Sequence, residues 1–317
     1  RLALARAAAA AGYEIHVAGP SDHVWAPPDF EVGVLERSGF SYHEVPLSRR
    51  GMNPFRDLAT LLALWRLFRR LRPKIVHNLT IKPVLYGGIA ARLAGVPCLV
   101  STITGLGHAF SSSGARAAML RRLITLLYQL ALAHPRSHTI VQNREDLDRL
   151  VGLRATRSDR TTLIPGSGAD LRRLAPRPEA AGPGVVVLPA RLIWDKGVAV
   201  FVEAARRLRA EGVEARFALV GDTQPSNPRS VPKEQLAAWQ QAGEIEWWGR
   251  RDDMPDVFAM CHVVCLPTGY GEGVPKALIE AAACGRPIVA TDIAGCREIV
   301  RNGENGLLVP PGDADAL

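Results

Sequence analysis

Aromatic residues are scarce in this chain, at 6% of 317 residues, and no stretch interleaves them with basic side chains. Base-stacking surfaces need that interleaving, so nucleic acid is a poor partner despite a net charge of +8. A paired-cysteine framework is missing as well. The five cysteines, Cys98, Cys261, Cys265, Cys284 and Cys296, are odd in number and lie mostly in apolar stretches. They read as reduced, buried thiols of a cytosolic protein. Cys261 and Cys265 lack a second ligand pair at matching spacing, which argues against zinc. The longest apolar run, LITLLYQLALA at 123–133, is too short to cross a bilayer. A cytoplasmic chain is expected, at most peripheral at the inner face of the cytoplasmic membrane. A dinucleotide fingerprint is also lacking. Gly105-Leu-Gly107, Gly166-Ser-Gly168 and Gly271-Glu-Gly273 each miss the third glycine, which would fall at Phe110, Leu171 and Lys276. That counts against an NAD(P)-dependent oxidoreductase.

Strand-like and helix-like stretches alternate almost throughout. Helix is predicted over 1–12, 55–71, 83–94, 115–133, 197–210 and 232–242. Strand is predicted over 13–18, 41–45, 74–79, 97–102 and 138–143, then 185–190, 216–221, 244–249, 262–267, 287–292 and 306–310. This alternation means βαβ units and parallel sheets, an α/β fold. The segment RRLAPRPEAAGPG, 172–184, has a linker's composition. It separates an N-terminal Rossmann-like domain, 1–171, from a C-terminal one, 185–317. A doubly wound domain opens with a strand and a Gly-rich turn, whereas this chain opens on a helix. Its last residues, GDADAL, could cap a helix that does not follow. Both ends read as incomplete.

The segment GEGVPKALIEAAACGRPIVATD, 271–292, carries the sharpest chemistry. Glu272 lies in a Gly-rich loop. Glu280 follows eight positions later on a helix that Pro275 opens and Gly285 ends. Free amides at Gly273 and Val274, at a helix N-terminus, suit a phosphate. The flanking carboxylates suit hydroxyls of a sugar and a ribose. That order fits a nucleotide-sugar; the plainer alternative is an ordinary strand–turn–helix unit with two solvated glutamates. A second motif, PARLIWDKG at 189–197, follows a strand directly, where doubly wound sheets bind ligands. Arg191 and Lys196 there suit a diphosphate; the alternative is two surface cations.

Together PARLIWDKG, GRRDDMP (249–255) and LPTGYGEGVPKALIEAAACGRPIVATDIAGCREIV (266–300) resemble retaining family 4 glycosyltransferases of the GT-B fold, two Rossmann-like domains facing across a cleft. Glu272-x7-Glu280 matches that family's signature. NLTIKPVLYGGIAARLAGVP (78–97) and STITGLGHAF (101–110) are similar to the subgroup acting on polyprenyl-diphosphate-linked intermediates of surface glycans. The resemblance implies an NDP-sugar donor, most simply UDP-linked, as substrate. No cofactor and no metal are implied. The acceptor is a lipid-linked or oligosaccharide hydroxyl. Arg191 and Lys196 would hold the diphosphate and support the leaving group. Glu272 would meet sugar hydroxyls, Glu280 the ribose, Gly273, Val274 and Pro275 the donor sugar and phosphate, and the loop at Gly249 and Arg250 the base. Retention would come from front-face attack assisted by the departing phosphate, without a protein nucleophile. The alternative on the same scaffold is a sugar-nucleotide epimerase or a non-catalytic NDP-sugar binder.

On the acceptor side the candidates are Thr80, Lys82, Thr104, Gly105 and His108. Lys82 would meet an acceptor phosphate, and the small Gly105 and Gly107 suit close approach of backbone to a ligand. Asp146-Leu-Asp148 formally matches a metal-binding DxD pattern, but REDLDRLV reads as an exposed helix start with Asp on the polar face. Two Arg- and Leu-rich segments, 65–74 and 116–130, read as amphipathic helices. Their sharper reading is a surface for anionic lipid.

Overall fold

A computed structural model describes residues 2–20, 32–47, 53–106, 115–225, 227–269 and 271–317. His108, Gly107 and Tyr270 lie outside the described residues. Twelve strands are present among those described: β1 (His16–Gly19), β2 (Ser41–Glu44), β3 (Ile75–Leu79), β4 (Cys98–Ile103), β5 (Ser137–Val141), β6 (Thr161–Leu163), β7 (Gly184–Pro189), β8 (Ala215–Val220), β9 (Glu246–Gly249), β10 (Val263–Leu266), β11 (Ile288–Thr291) and β12 (Gly306–Val309). The chain divides into two compact units. One holds Arg1–Ile103, Ala118–Ile140 and Asp148–Thr162; the other holds Thr104–Ala117, Val141–Leu147 and Leu163–Leu317.

In the first unit, β1 and β2 form a parallel pair, and β3, β4, β5 and β6 form a sheet in that order. The helix Pro54–Leu71 begins where Asn53 Oδ1 accepts the amides of Phe55 and Arg56, with Pro54 at its first position. It buries Thr60, Leu64, Leu67 and Phe68, one face at helical spacing. With Val76, Ala90, Ala91 and Leu99 these make the core of this unit. The helix predicted over 83–94 is in fact two pieces, a π-helical turn Pro83–Gly87 and an α-helix Gly88–Ala94. Its glycines allow close packing: a Cβ at Gly87 would lie 2.2 Å from Asn78 Oδ1, and one at Gly88 would lie 2.6 Å from the Ala131 carbonyl. The short elements Val32–Arg37 and Thr161–Leu163 were not expected. Each is under two helical turns or four strand residues, too short to show a period.

In the second unit, six strands run β12-β11-β10-β7-β8-β9, and every adjacent pair is parallel. Strands 7, 8 and 9 step one way and 10, 11 and 12 the other. The order therefore reverses between β7 and β10, which defines a topological switch point at their C-terminal ends. Both faces of the sheet are covered. Val185, Val187, Ala218, Val220, Val264 and Leu266 face one core. Leu188, Phe217, Leu219 and Cys265 face the other. This two-sided burial is why the strands read as continuous apolar runs rather than alternating ones. The helix Met254–Met260, missed in the sequence, contributes Val257 and Phe258 to the first of these cores.

Candidate active site

The chain leaves β7 at Pro189, passes Arg191, and makes one tight 3-10 turn at Trp194–Lys196. Gly197 ends the turn with φ +75°, and a Cβ there would lie 1.9 Å from the Pro267 carbonyl. Only glycine lets this turn settle on the end of β10. The turn brings Lys196, 8% exposed, against Glu272, which the loop after β10 supplies. Their ammonium and carboxylate are directly paired. Thr268 Oγ1 lies 3.2 Å from the same carboxylate and 3.1 Å from the Asp195 carbonyl, so its single proton serves one of them at a time. Thr291 Oγ1 donates to the Thr268 carbonyl, and Asp195 pairs with Arg229. The switch point thus holds a largely buried, hydrogen-bonded ion pair. Such a pair is costly to assemble and costlier to break from one side.

Three strand ends are laced together beside it. Ala190 N–H donates to the Val220 carbonyl (3.0 Å), Leu192 N–H to Asp222 (3.0 Å), and Gly221 N–H to Gly249 (2.8 Å). Arg191, after β7, and the Gly249-Arg250 loop, after β9, therefore flank the end of β8. Arg191 is exposed and has no side-chain partner among the described residues. Arg250 is exposed and reaches Asp252, at 3.4 Å. Glu280 lies on the helix Lys276–Ala283, mostly buried, with Lys276 Nζ 3.0 Å away.

Several expectations need correcting. The amides of Gly273 and Val274 are not free: Gly273 N–H donates to the Thr104 carbonyl (3.0 Å) and Val274 N–H to Gln142 Oε1 (3.3 Å). Pro275 is the residue before the helix rather than in its first turn. Its carbonyl accepts from Leu278 and Ile279, as an N-cap carbonyl does. Gly105 approaches protein rather than open space. It has φ +119°, and a Cβ on it would lie 2.7 Å from Gly273 N. Asp146 is buried, not exposed. Asn143 Oδ1 accepts its amide (2.7 Å) and Asn143 Nδ2 donates to its carboxylate (2.8 Å), which is reciprocal capping of the helix Arg144–Gly152. Among the described residues no three His, Cys, Asp or Glu side chains are grouped to hold a metal.

Thr80 and Lys82 belong to the first unit. Thr80, at the end of β3, has φ +73°, an outlier for a β-branched residue. Its amide donates to the Thr102 carbonyl and its own carbonyl accepts from Val84. Lys82 is not waiting unpaired for a phosphate: its Nζ lies 3.0 Å from Asp57 Oδ1, and both side chains are mostly buried. Burial, then the hydrogen bond and charge of Asp57, push the Tyr86 phenol upward. Sequence reasoning missed Asp57, Asp195, Thr268 and Gln142. Asp195 and Thr268 stand inside the two motifs already singled out, so the signal was present. Nothing local marks Gln142 or Asp57. Burial pushes the Cys296 thiol, close enough to feel the charge of Glu272, up to about 12. It is protonated at neutral pH and is no nucleophile.

The second unit is thus a six-stranded Rossmann-type sheet whose switch point presents cations and a carboxylate. A family model described as "Glycosyl transferase 4-like domain" matches residues 2–167, and one described as "Glycosyl transferases group 1" matches 183–317. The chain belongs to the glycosyl transferase 4-like family and is a glycosyltransferase. It is 28% identical, over 93% of its length and 79% of the relative's, to the N,N'-diacetylbacillosaminyl-diphospho-undecaprenol alpha-1,3-N-acetylgalactosaminyltransferase of Campylobacter jejuni. It is 27% identical to the UDP-Gal:alpha-D-GlcNAc-diphosphoundecaprenol alpha-1,3-galactosyltransferase of Escherichia coli, over 86% of this chain and 72% of that one. Anabaena HepE, solved with UDP and glucose, superposes with a TM-score of 0.71 at 20% identity, covering 96% of this chain and 87% of that chain. That likeness establishes the GT-B fold.

Proposed function

We propose that this chain transfers a hexose or N-acetylhexosamine from a UDP-linked donor, with retention, to a hydroxyl of a polyprenyl-diphosphate-linked glycan in surface polysaccharide or glycoconjugate assembly. The observation that carries this reading is the Lys196–Glu272 pair at the switch point between β7 and β10. The names of the two undecaprenol-linked relatives support the acceptor class. Lys196 and Arg191 hold the diphosphate and stabilise the charge that builds as the bond from C1 to the phosphate oxygen breaks. The acceptor oxygen bonds C1 on the same face, and its proton passes to the departing phosphate. Glu272 accepts from hydroxyls of the sugar, Glu280 from the ribose, and the Gly249-Arg250 loop borders the base. Within the first unit, Lys82, held by Asp57, and Thr80 are the candidates for contact with the acceptor.

Isothermal titration of the chain with UDP and then UDP-GlcNAc, UDP-GalNAc, UDP-glucose and UDP-galactose tests the reading. Saturable binding is expected, weakened about 10- to 100-fold in Glu280→Ala, the value of a hydrogen bond to a charged group. Absence of binding by the folded chain rejects a UDP-sugar donor. Product analysis with and without acceptor separates transfer from epimerisation.

The first unit also carries a surface suited to anionic lipid. The helix Pro54–Leu71 exposes Phe55, Leu58 and Leu62, and the helix Ala115–Leu132 exposes Met119, Leu123, Leu126 and Leu130. The second helix has no carboxylate, and the first has only Asp57, which is taken by Lys82. Apolar stripes flanked by arginine without exposed acid match an interfacial surface. No helix among the described residues is long and apolar enough to cross a membrane. The chain is expected to float with anionic vesicles and not with neutral ones, and Leu123→Glu with Leu126→Glu is expected to abolish flotation. Equal recovery with both lipids removes this part of the reading.

A further inference from the structure

Gln142 follows β5 in a segment that packs within the second compact unit. It is 9% exposed. Its Oε1 accepts the Val274 amide at 3.3 Å. It also presses against Gly273, where an added Cβ would lie 2.2 Å from that oxygen. The partner decides the orientation of the carboxamide: Val274 N–H can only donate, so the atom facing it is the oxygen. The Nε2 group is left with two N–H donors and no partner among the described residues. The nitrogen retains some solvent access, so its two donors are open to a ligand. The carboxamide as a whole stands against Gly273, the residue that follows Glu272.

We propose that Gln142 is a specificity-determining residue that donates from Nε2 to a hydroxyl of the transferring sugar. The proposal rests on the donor-site reading above. A sugar hydroxyl is satisfied by one acceptor and one donor. Glu272 supplies an acceptor, already polarised by Lys196 and Thr268. The Gly273 and Val274 amides cannot supply the donor, since they are spent on Thr104 and on Gln142 itself. The carboxamide of Gln142 therefore does two things. Its oxygen holds the turn that carries Glu272, and its nitrogen completes the hydroxyl's hydrogen bonds. Asn143 supports the same turn, with Nδ2 3.4 Å from the Gly273 carbonyl, and its cap on the following helix keeps the segment in register. A neutral group suits a hydroxyl, whereas the diphosphate already has Arg191 and Lys196.

The two roles separate by substitution. Gln142→Glu keeps an oxygen for the Val274 amide and removes the donor; Gln142→Leu removes both. The full chain and each variant are titrated with UDP and with the UDP-sugar that binds the unsubstituted chain best, and melting temperatures are recorded. Gln142→Glu, whose new carboxylate lowers the melting temperature as well, is expected to lose about tenfold or more in affinity for the UDP-sugar relative to UDP. Gln142→Leu is expected to lose sugar affinity and to melt lower. Sugar affinity unchanged in Gln142→Glu, or UDP and UDP-sugar weakened equally, overturns the proposal. If the unsubstituted chain binds no UDP-sugar, it is the donor-site reading that fails, and this inference falls with it.

Discussion

Lys196→Ala is expected to lower turnover by about 100- to 1,000-fold, the usual effect of removing one preorganised donor from developing negative charge. Two consequences of this substitution must be kept apart. The ammonium is mostly buried and paired with Glu272, so its loss strands a carboxylate beside Thr268. Breaking such a pair from one side costs about 3–5 kcal/mol of stability. The double variant Lys196→Ala with Glu272→Gln removes the stranded charge and restores part of that stability. It is expected to remain inactive, because nothing replaces the cation at the leaving phosphate. Steady-state rates and melting curves of both variants provide the check. A double variant that recovers turnover as well as stability would show that Lys196 acts only as the counterion of Glu272.

Gly295→Ala is expected to abolish donor binding, although Gly295 makes no contact through a side chain. A Cβ there would lie 2.0 Å from the Gly273 carbonyl oxygen and 2.8 Å from that of Glu272. Both are backbone atoms, so the loop must move rather than a flexible side chain. Gly273 cannot retreat freely either, since its own virtual Cβ lies 2.7 Å from the Thr104 carbonyl and 2.2 Å from Gln142 Oε1. The backbones of Gly105, Gly273 and Gly295 thus stack without room for a methyl group. Overpacking of this kind costs about 1–3 kcal/mol, and here the shift falls on the residue that carries Glu272. Loss of UDP-sugar binding with a lowered melting temperature is the expected result. Unaltered affinity would mean that the loop position is unimportant to the site.

These two predictions differ in how far each was legible beforehand. Lys196 and Glu272 stand in motifs placed directly after strands, and strand ends in a parallel sheet are where ligands bind. Their roles as candidates needed no coordinates. Gly295 was only one glycine in a motif string. Its necessity depends on a backbone 22 residues away in sequence, Gly273, and no local pattern encodes that approach. The amides of Gly273 and Val274 show the opposite failure. Locally they head a helix and look free, yet Thr104 and Gln142 occupy them from segments about 130 to 170 residues distant. Lys82 was misjudged for the same reason, because Asp57 lies 25 positions earlier on another helix.

The sequence alone therefore determined the class. Alternating strand and helix patterns and long apolar runs sufficed for the α/β fold, the order of Arg191, Lys196, Glu272 and Glu280 fitted a nucleotide-sugar site, and the glycosyltransferase class came from the resemblance of the motifs that carry them. These features are local: they follow from residue periodicity and from what each side chain can donate or accept. The tertiary structure decided which groups are already engaged. It paired Lys196 with Glu272, buried Asp146 against Asn143, gave Lys82 to Asp57, and left the amide nitrogen of Gln142 without a partner among the described residues. A buried donor or acceptor must be satisfied by whatever the fold brings within about 3 Å, and that neighbour is set by packing, not by position along the chain.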